Sequence, residues 1–159
     1  MKILLPCDFS QCSEEAIRRA LELAERLGGS ITLLHVYLEP VYPTIEGSAL
    51  MLDRETIEQS VRDMTAALEE LRDKSLRPGV PIDVRVVEGT PAEVVCRLAA
   101  AEAYDLIVMG THGRTGLGHL FLGSVAERVV RMAPCPVLTV RAAQPAHEHR
   151  HHMPAVPLL

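Results

Sequence analysis

Gly110, Gly113, Gly123 and Ser124 stand at the spacing Gly-x2-Gly-x9-Gly-Ser. They follow an apolar run, Leu106 to Met109, and two more glycines, Gly116 and Gly118, lie between them. The chemistry this suits is phosphate binding. A residue without a side chain lets the backbone approach an anion, and the free N–H groups of a following helix point at it along a favourable dipole. The Ser124 hydroxyl adds a further donor. Neither common phosphate fingerprint is present. No Lys follows Lys74, which rules out GxxxxGK[ST], and Gly116-Leu-Gly118-His-Leu-Phe121 lacks the third glycine of GxGxxG. Asp8 is the second chemically suggestive residue. It follows the short apolar run Ile3 to Pro6, at a strand-to-helix junction where ligands of open parallel sheets bind. A carboxylate there accepts hydrogen bonds from ribose or adenine, approaches a metal, or simply caps a turn.

The elements that must position these residues alternate along the chain. Ile3 to Pro6 reads as a buried strand. Ser10 or Ser13 caps the next helix, whose stripe is Ala16, Ile17, Ala20, Leu21, Ala24 and Leu27, and Gly28-Gly29 ends it. Ile31 to Tyr37 is a second strand, with His35 a packed core or edge residue. Leu38 to Ser48, with two prolines and a glycine, reads as a loop. A long helix is expected from about Leu50 to Leu76, with Ile57, Val61, Met64, Leu68 and Leu71 on one face. Ile82 to Glu88 alternates as a half-exposed edge strand. Thr90, Pro91 and Glu93 form a capping signal for a helix with Val94, Val95, Leu98 and Ala99 inward. Leu106 to Met109 is the fourth strand, Val125, Val129, Val130 and Met132 mark the fourth helix, and Val137 to Val140 is the fifth strand.

That alternation predicts an α/β fold: a single doubly wound domain with a five-stranded parallel sheet, order 3-2-1-4-5, and helices on both faces. Asp8 and Gly110 then flank the point where strand order reverses. The expected domain is 1–141, followed by a His-rich tail, 142–159.

The glycine spacing, together with Asp8, resembles the nucleotide-binding signature of the universal stress protein family, and the resemblance covers about residues 1–141. It implies an ATP-binding regulatory protein, with Mg2+ accompanying ATP and held chiefly by the phosphates. The residues it puts at the nucleotide are Pro6 and Asp8 at the first strand's end and Val36, through its main chain, at the second's. To these it adds Met109, Gly110, His112, Gly113 and Arg114 in the glycine stretch, then Gly123, Ser124 and Val125 opening the fourth helix. It also implies a homodimer through the last strand, Pro136 to Arg141. The alternative for that edge is shielding by the tail.

Composition limits the partners. The net charge is −5, aromatics are 3% and Trp is absent, which argues against nucleic acid. No apolar run reaches the ~18–20 residues of a membrane span, and the first residues are too short for a secretory core. A cytoplasmic protein is expected. Cys7, Cys12, Cys96 and Cys135 form no CxxC pair and read as free thiols. No acidic pair in the glycine stretch makes His112 a general base, so no catalytic residue is assigned. Two other functions stay open: a slow ATPase or nucleotidyl transferase, and a nucleotide-free interaction module. The latter would respond to zinc or nickel through His147, His149, His151 and His152.

Overall fold

The computed structural model describes residues 1–38, 41–43, 49–51, 53–111 and 122–141, with side chains outside the two three-residue segments. Their elements, in order, are β1 (Lys2–Pro6), α1 (Gln11–Leu27), β2 (Ser30–Tyr37), β3 (Val41–Pro43), β4 (Ala49–Met51), α2 (Arg54–Lys74), β5 (Ile82–Glu88), α3 (Pro91–Ala101), β6 (Leu106–Gly110), α4 (Ser124–Met132) and β7 (Val137–Val140). β5-β2-β1-β6-β7 form one parallel sheet, which is the expected order 3-2-1-4-5.

β1 shows why the strands are almost wholly apolar. Its side chains alternate between two cores. Ile3 and Leu5 pack with Ala16, Ile17 and Ala20 of α1 and Leu68 of α2. Leu4 faces the other way, against Val95 and Ala99 of α3 and Val129 of α4. Each such fully buried Leu or Ile contributes about 1.5–3 kcal/mol relative to exposure. α1 and α2 therefore cover one face and α3 and α4 the other. All four helices begin at the carboxyl edge of the sheet.

The ends of α1 follow its capping residues. Ser10 is the N-cap, its Oγ accepting from the Ser13 N–H, and Gly28 closes the helix at φ +62°, a conformation that suits glycine.

Several expectations need correction. The segment 38–48 is not wholly loop, because Val41–Pro43 pairs antiparallel with Ala49–Met51. Three-residue strands are too short for alternation to register. Leu50 accordingly lies in β4, and α2 starts at Arg54. Its N-cap is Asp53, which takes the Thr56 N–H at 2.9 Å and the Thr56 hydroxyl at 2.7 Å. The Thr90–Glu93 capping box does not form. Thr90 makes no side-chain cap bond, and Glu93 lies 3.9 Å from Arg128 of α4 instead. Leu27, the last residue of α1, is 59% exposed rather than part of the buried stripe. In α4 the inward residues are Ala126 and Val129, while Val130 and Met132 are half-exposed and Val125 sits at the cavity rim. A nine-residue helix held on one side buries only a narrow stripe.

Candidate functional site

The site begins where β1 stops. The Cys7 N–H donates to the Leu34 carbonyl at 2.8 Å, so the main chain of Pro6 faces β6. Proline has no N–H to give there. The β1–β6 pairing runs to Leu4 and Ile107, and a crevice opens beyond it.

Val36 faces the same opening. In a parallel ladder the main-chain groups of successive residues point alternately to the two neighbours. Leu34 bonds toward β1, and Tyr37 bonds toward β5 through the Gly89 N–H at 2.8 Å. The N–H and C=O of Val36 therefore point to the β1 side, past the last residue of β1. The Cys7 carbonyl, the next acceptor on that side, takes the Nδ1–H of His35 at 2.8 Å. This gives His35 a structural partner, and its ring also packs on Phe9 with centroids 4.9 Å apart.

Asp8 is fixed by the turn into α1. Its Oδ1 accepts from the Ser10 N–H at 3.1 Å and from the Ser13 hydroxyl at 2.6 Å. Its own N–H donates to Ser13 Oγ at 3.2 Å. Burial opposes the charged form of Asp8, but the hydrogen bonds from Ser10 and Ser13 prevail and hold its carboxyl below the ordinary value. Both sequence readings of Asp8 thus have substance. One oxygen serves the turn, while the residue still lines the cavity. Beside it, burial pushes the Cys7 thiol up, which suits an inert packing role rather than a nucleophile.

β6 supplies the opposite wall. A Cβ on Gly110 would stand 2.7 Å from Cys12 Cβ and 3.1 Å from the Cys12 carbonyl carbon. Glycine is therefore required at 110 for α1 to approach β6, quite apart from any ligand. The Thr111 N–H then donates to the Val140 carbonyl at 2.8 Å, and the Gly123 N–H donates to the Thr111 carbonyl at 2.7 Å. The chain leaves at Thr111 and returns beside it at Gly123. His112, Gly113 and Arg114 lie outside the described residues.

Gly123 is the N-cap of α4, at φ −61°, and offers no side chain to the helix. Its carbonyl accepts from the Glu127 N–H at 2.9 Å. The N–H groups of Ser124, Val125 and Ala126 belong to the first turn and have no acceptor within the helix. These three residues line the cavity. α1, by contrast, caps itself through Ser10, and α3 starts with Pro91, which removes one donor.

The result is a cavity of about 230 Å3 at the carboxyl edge, over the point where strand order reverses. It collects Pro6, Asp8, Val36, Met109, Gly110, Gly123, Ser124 and Val125, all singled out by sequence. It adds residues that sequence reasoning passed over: Ser13, Leu34, Pro91, Val95, Thr111 and Ala126. Ser13 was open to discovery as a polar residue on the inner face of α1. Pro91 and Val95 became lining residues only once α3 was laid across the sheet. The described lining is mostly apolar, with one carboxylate and no cation. Among the described residues no cluster of three or more His, Cys, Asp or Glu could hold a metal ion. A lone carboxylate fits a Mg2+ that is carried by phosphates better than one bound by the protein. The tail histidines 147, 149, 151 and 152 lie outside the described residues.

The model of the universal stress protein family matches residues 1–141. The chain belongs to the universal stress protein family. Among curated members, a universal stress protein of Methanocaldococcus jannaschii is 36% identical over 144 residues, 88% of this chain and 81% of that protein. Among solved structures, universal stress protein UspA from Lactobacillus plantarum superposes with a TM-score of 0.75 at 25% identity, covering 89% of this chain and 97% of that one. Two more distant structures of the same fold contain nucleotides. One, from Arabidopsis thaliana, has AMP bound (21% identity, TM-score 0.59, covering 90% and 92% of the two chains). The other is a universal stress protein in complex with cAMP (21% identity, TM-score 0.64, covering 90% and 98%).

Proposed function

We propose that this chain is an adenine-nucleotide-binding regulatory protein that takes ATP, with its Mg2+, in the crevice between β1 and β6. The observation that carries the reading is the first turn of α4. It opens on the cavity with a glycine cap and three N–H groups that the helix cannot satisfy, which is the arrangement that captures a phosphate. Ser124 adds its hydroxyl, and Gly113, His112 and Arg114 are assigned to the same phosphates. The apolar wall of Leu34, Val36, Pro91 and Val95 suits a base, with the Val36 main chain supplying one donor and one acceptor. The AMP- and cAMP-bound members support an adenine nucleotide.

Binding fits better than efficient hydrolysis. Among the described lining residues, Asp8 is the one ionised side chain at neutral pH. A carboxylate held below its ordinary pKa by two hydroxyls and an N–H is a poor base. A slow ATPase remains the second reading, to be tested by phosphate release once binding is established.

The acting form is assigned as a cytoplasmic homodimer joined through β7. No described helix is long and apolar enough to cross a membrane. The two sheet edges differ. β5 carries Asp83, Arg85 and Glu88, whereas β7 is Val-Leu-Thr-Val, with Leu138 partly exposed. Charged edges resist pairing and apolar edges invite it. The bonds from Ile107 to Pro136 and from Thr111 to Val140 turn the main chain of Val137 and Thr139 outward. Thr139→Pro therefore removes a donor from the open edge and spares the β6 ladder. Light scattering is expected to show a dimer that becomes a monomer in Thr139→Pro.

The test of binding is direct. The purified protein is denatured, released small molecules are identified by mass spectrometry, and the stripped protein is titrated with MgATP by calorimetry. Co-purified adenine nucleotide or a clear isotherm is expected. A folded protein with neither would overturn the reading in favour of a nucleotide-free interaction module.

A further inference from the structure

The nucleotide reading leaves His147, His149, His151 and His152 unused. They lie outside the described residues, but the point from which their segment starts is fixed. The Thr111 N–H donates to the Val140 carbonyl at 2.8 Å, and the Gly123 N–H donates to the Thr111 carbonyl at 2.7 Å. Thr111 and Gly123 both line the cavity. β7 therefore delivers Arg141 to the cavity rim, two hydrogen-bonded neighbours from the cap of α4. Neighbours paired in this way lie about 5 Å apart, which makes the separation about 10 Å.

The chain beyond Arg141 is long enough to cover that distance. His147 is six residues past Arg141 and His152 eleven. At about 3.3 Å per residue, their reaches are about 20 Å and about 36 Å. All four imidazoles can thus be brought over the first turn of α4. The N–H groups of Ser124, Val125 and Ala126 have no acceptor within the helix there. What the imidazoles offer an anion follows from their chemistry. Glu148 and Arg150 are the charged residues of 142–159, and they cancel. Near neutrality the segment brings imidazoles rather than net positive charge. Neutral imidazole is a ligand for zinc-class ions, and the alternation of His147, His149 and His151 suits one side of an extended backbone. Zinc is four-coordinate, so two or three imidazoles leave room for phosphate oxygens. Mg2+ prefers oxygen and gains nothing from them. The described residues provide no cluster of three or more metal-binding side chains as a rival.

We infer that His147, His149, His151 and His152 hold a zinc-class ion at the cavity mouth, and that this ion also takes phosphate oxygens of the bound nucleotide. Zinc then raises nucleotide affinity above that seen with Mg2+. The phosphate half of the site rests on the nucleotide reading above, and the imidazole half does not.

The test uses the full chain in two arms, with thermal melts confirming that every variant is folded. The first arm needs no nucleotide. Reduced, metal-free protein is titrated with Zn2+ against a chromophoric chelator. The comparison is a variant carrying His147→Ala, His149→Ala, His151→Ala and His152→Ala together. Stoichiometric binding by the wild type and its loss in the variant are expected. Wild type that takes no Zn2+ overturns the inference. Zn2+ held equally by the variant places the ion on other side chains, the four thiols first, and overturns it too.

In the second arm, calorimetry compares MgATP with ZnATP. Wild type is expected to bind ZnATP tighter by about tenfold or more, a usual size for coupling between two ligands. The four-histidine variant is expected to keep a ratio of about threefold or less, since the intrinsic difference between the two metal complexes is all that remains to it. The same ratio in both proteins overturns the shared site and leaves the nucleotide reading standing. Wild type that binds neither complex overturns the nucleotide reading and the shared site with it.

Discussion

At the amino edge of the sheet, the polar side chains find their partners in other elements. Lys2 Nζ donates to the Glu102 carbonyl at 2.7 Å and lies 4.7 Å above the centre of the Tyr104 ring. The Tyr104 hydroxyl donates to Thr32 Oγ1 at 2.9 Å, and Glu102 pairs with Arg85 of β5. The Lys2 N–H meets Asp105 Oδ2 at 2.7 Å while the Asp105 N–H returns to the Lys2 carbonyl at 2.9 Å. β1, β2, β5 and the entry to β6 are thereby stitched together. At the carboxyl edge the same strands end on a cavity. Val36 turns its main chain outward, Pro6 has no donor, and α4 begins without a side-chain cap. The difference teaches how one sheet divides its labour. Bonds completed at one end hold the fold, and bonding capacity left open at the other end is what a ligand can take.

The largest test of that division is Tyr104→Ala. It removes a buried ring, the support beneath Lys2 and a hydrogen bond to Thr32. A loss of about 3–5 kcal/mol is expected in denaturant unfolding, as for other buried aromatics cut to Ala. The MgATP affinity of the protein that remains folded should not change. A fall in affinity as large as the fall in stability would mean that the two ends are not separable.

Gly123→Val reverses the pattern. At φ −61° any residue fits the backbone, so stability should move by less than about 1 kcal/mol. The new side chain stands over the first turn of α4, and MgATP affinity is expected to drop about a hundredfold or more by calorimetry, the effect of blocking anion approach. Retained affinity would remove the phosphates from α4.

Gly110→Ala sharpens the comparison because it lies in the same glycine pattern but does a different job. Its Cβ would collide with Cys12. A loss of about 1–3 kcal/mol is expected from this overpacking, read as a lowered Tm. Any loss of affinity should be secondary to the displaced α1.

The two glycines also show how far the sequence could be read. The spacing of Gly110 and Gly123 located the crevice, and the periodicity of the strands and helices led to the sheet order. What spacing could not separate is a glycine that admits a ligand from one that admits a helix, since both demand the same missing side chain. The helix surfaces were legible only in part for a related reason. Val125, Val129, Val130 and Met132 recur at helical intervals, but only the packing of α4 on α3 and β7 decides that Val129 goes in and Val130 stays out. Short strands such as Val41–Pro43 leave too few residues for any pattern. Ser13 was weighed as a cap and proved to be the partner of Asp8, a contact set by the turn geometry between β1 and α1.

The smallest expected effect compares the two ends in acid. Each has a carboxylate held below its ordinary pKa. For Glu102 the main cause is the hydrogen bond from Arg85. For Asp8, burial acts against the shift and the bonds from Ser10 and Ser13 outweigh it. A group whose folded pKa is depressed binds more protons when unfolded. Its stabilising contribution is therefore present above the unfolded pKa and is lost as pH falls through the folded one. For both groups that window lies below the ordinary carboxylate range, so stability should be level near neutrality and decline in acid. Ser13→Ala and Arg85→Gln should each flatten this acid limb slightly. The half-exposed Arg85 pair contributes little, because solvent screens ion pairs at the surface. Urea midpoints measured from pH 7 to pH 3 check this. If the acid limb of the double variant changes by the sum of the two single effects, the two ends titrate independently. A departure from that sum would show that the stitched edge also shapes the open one.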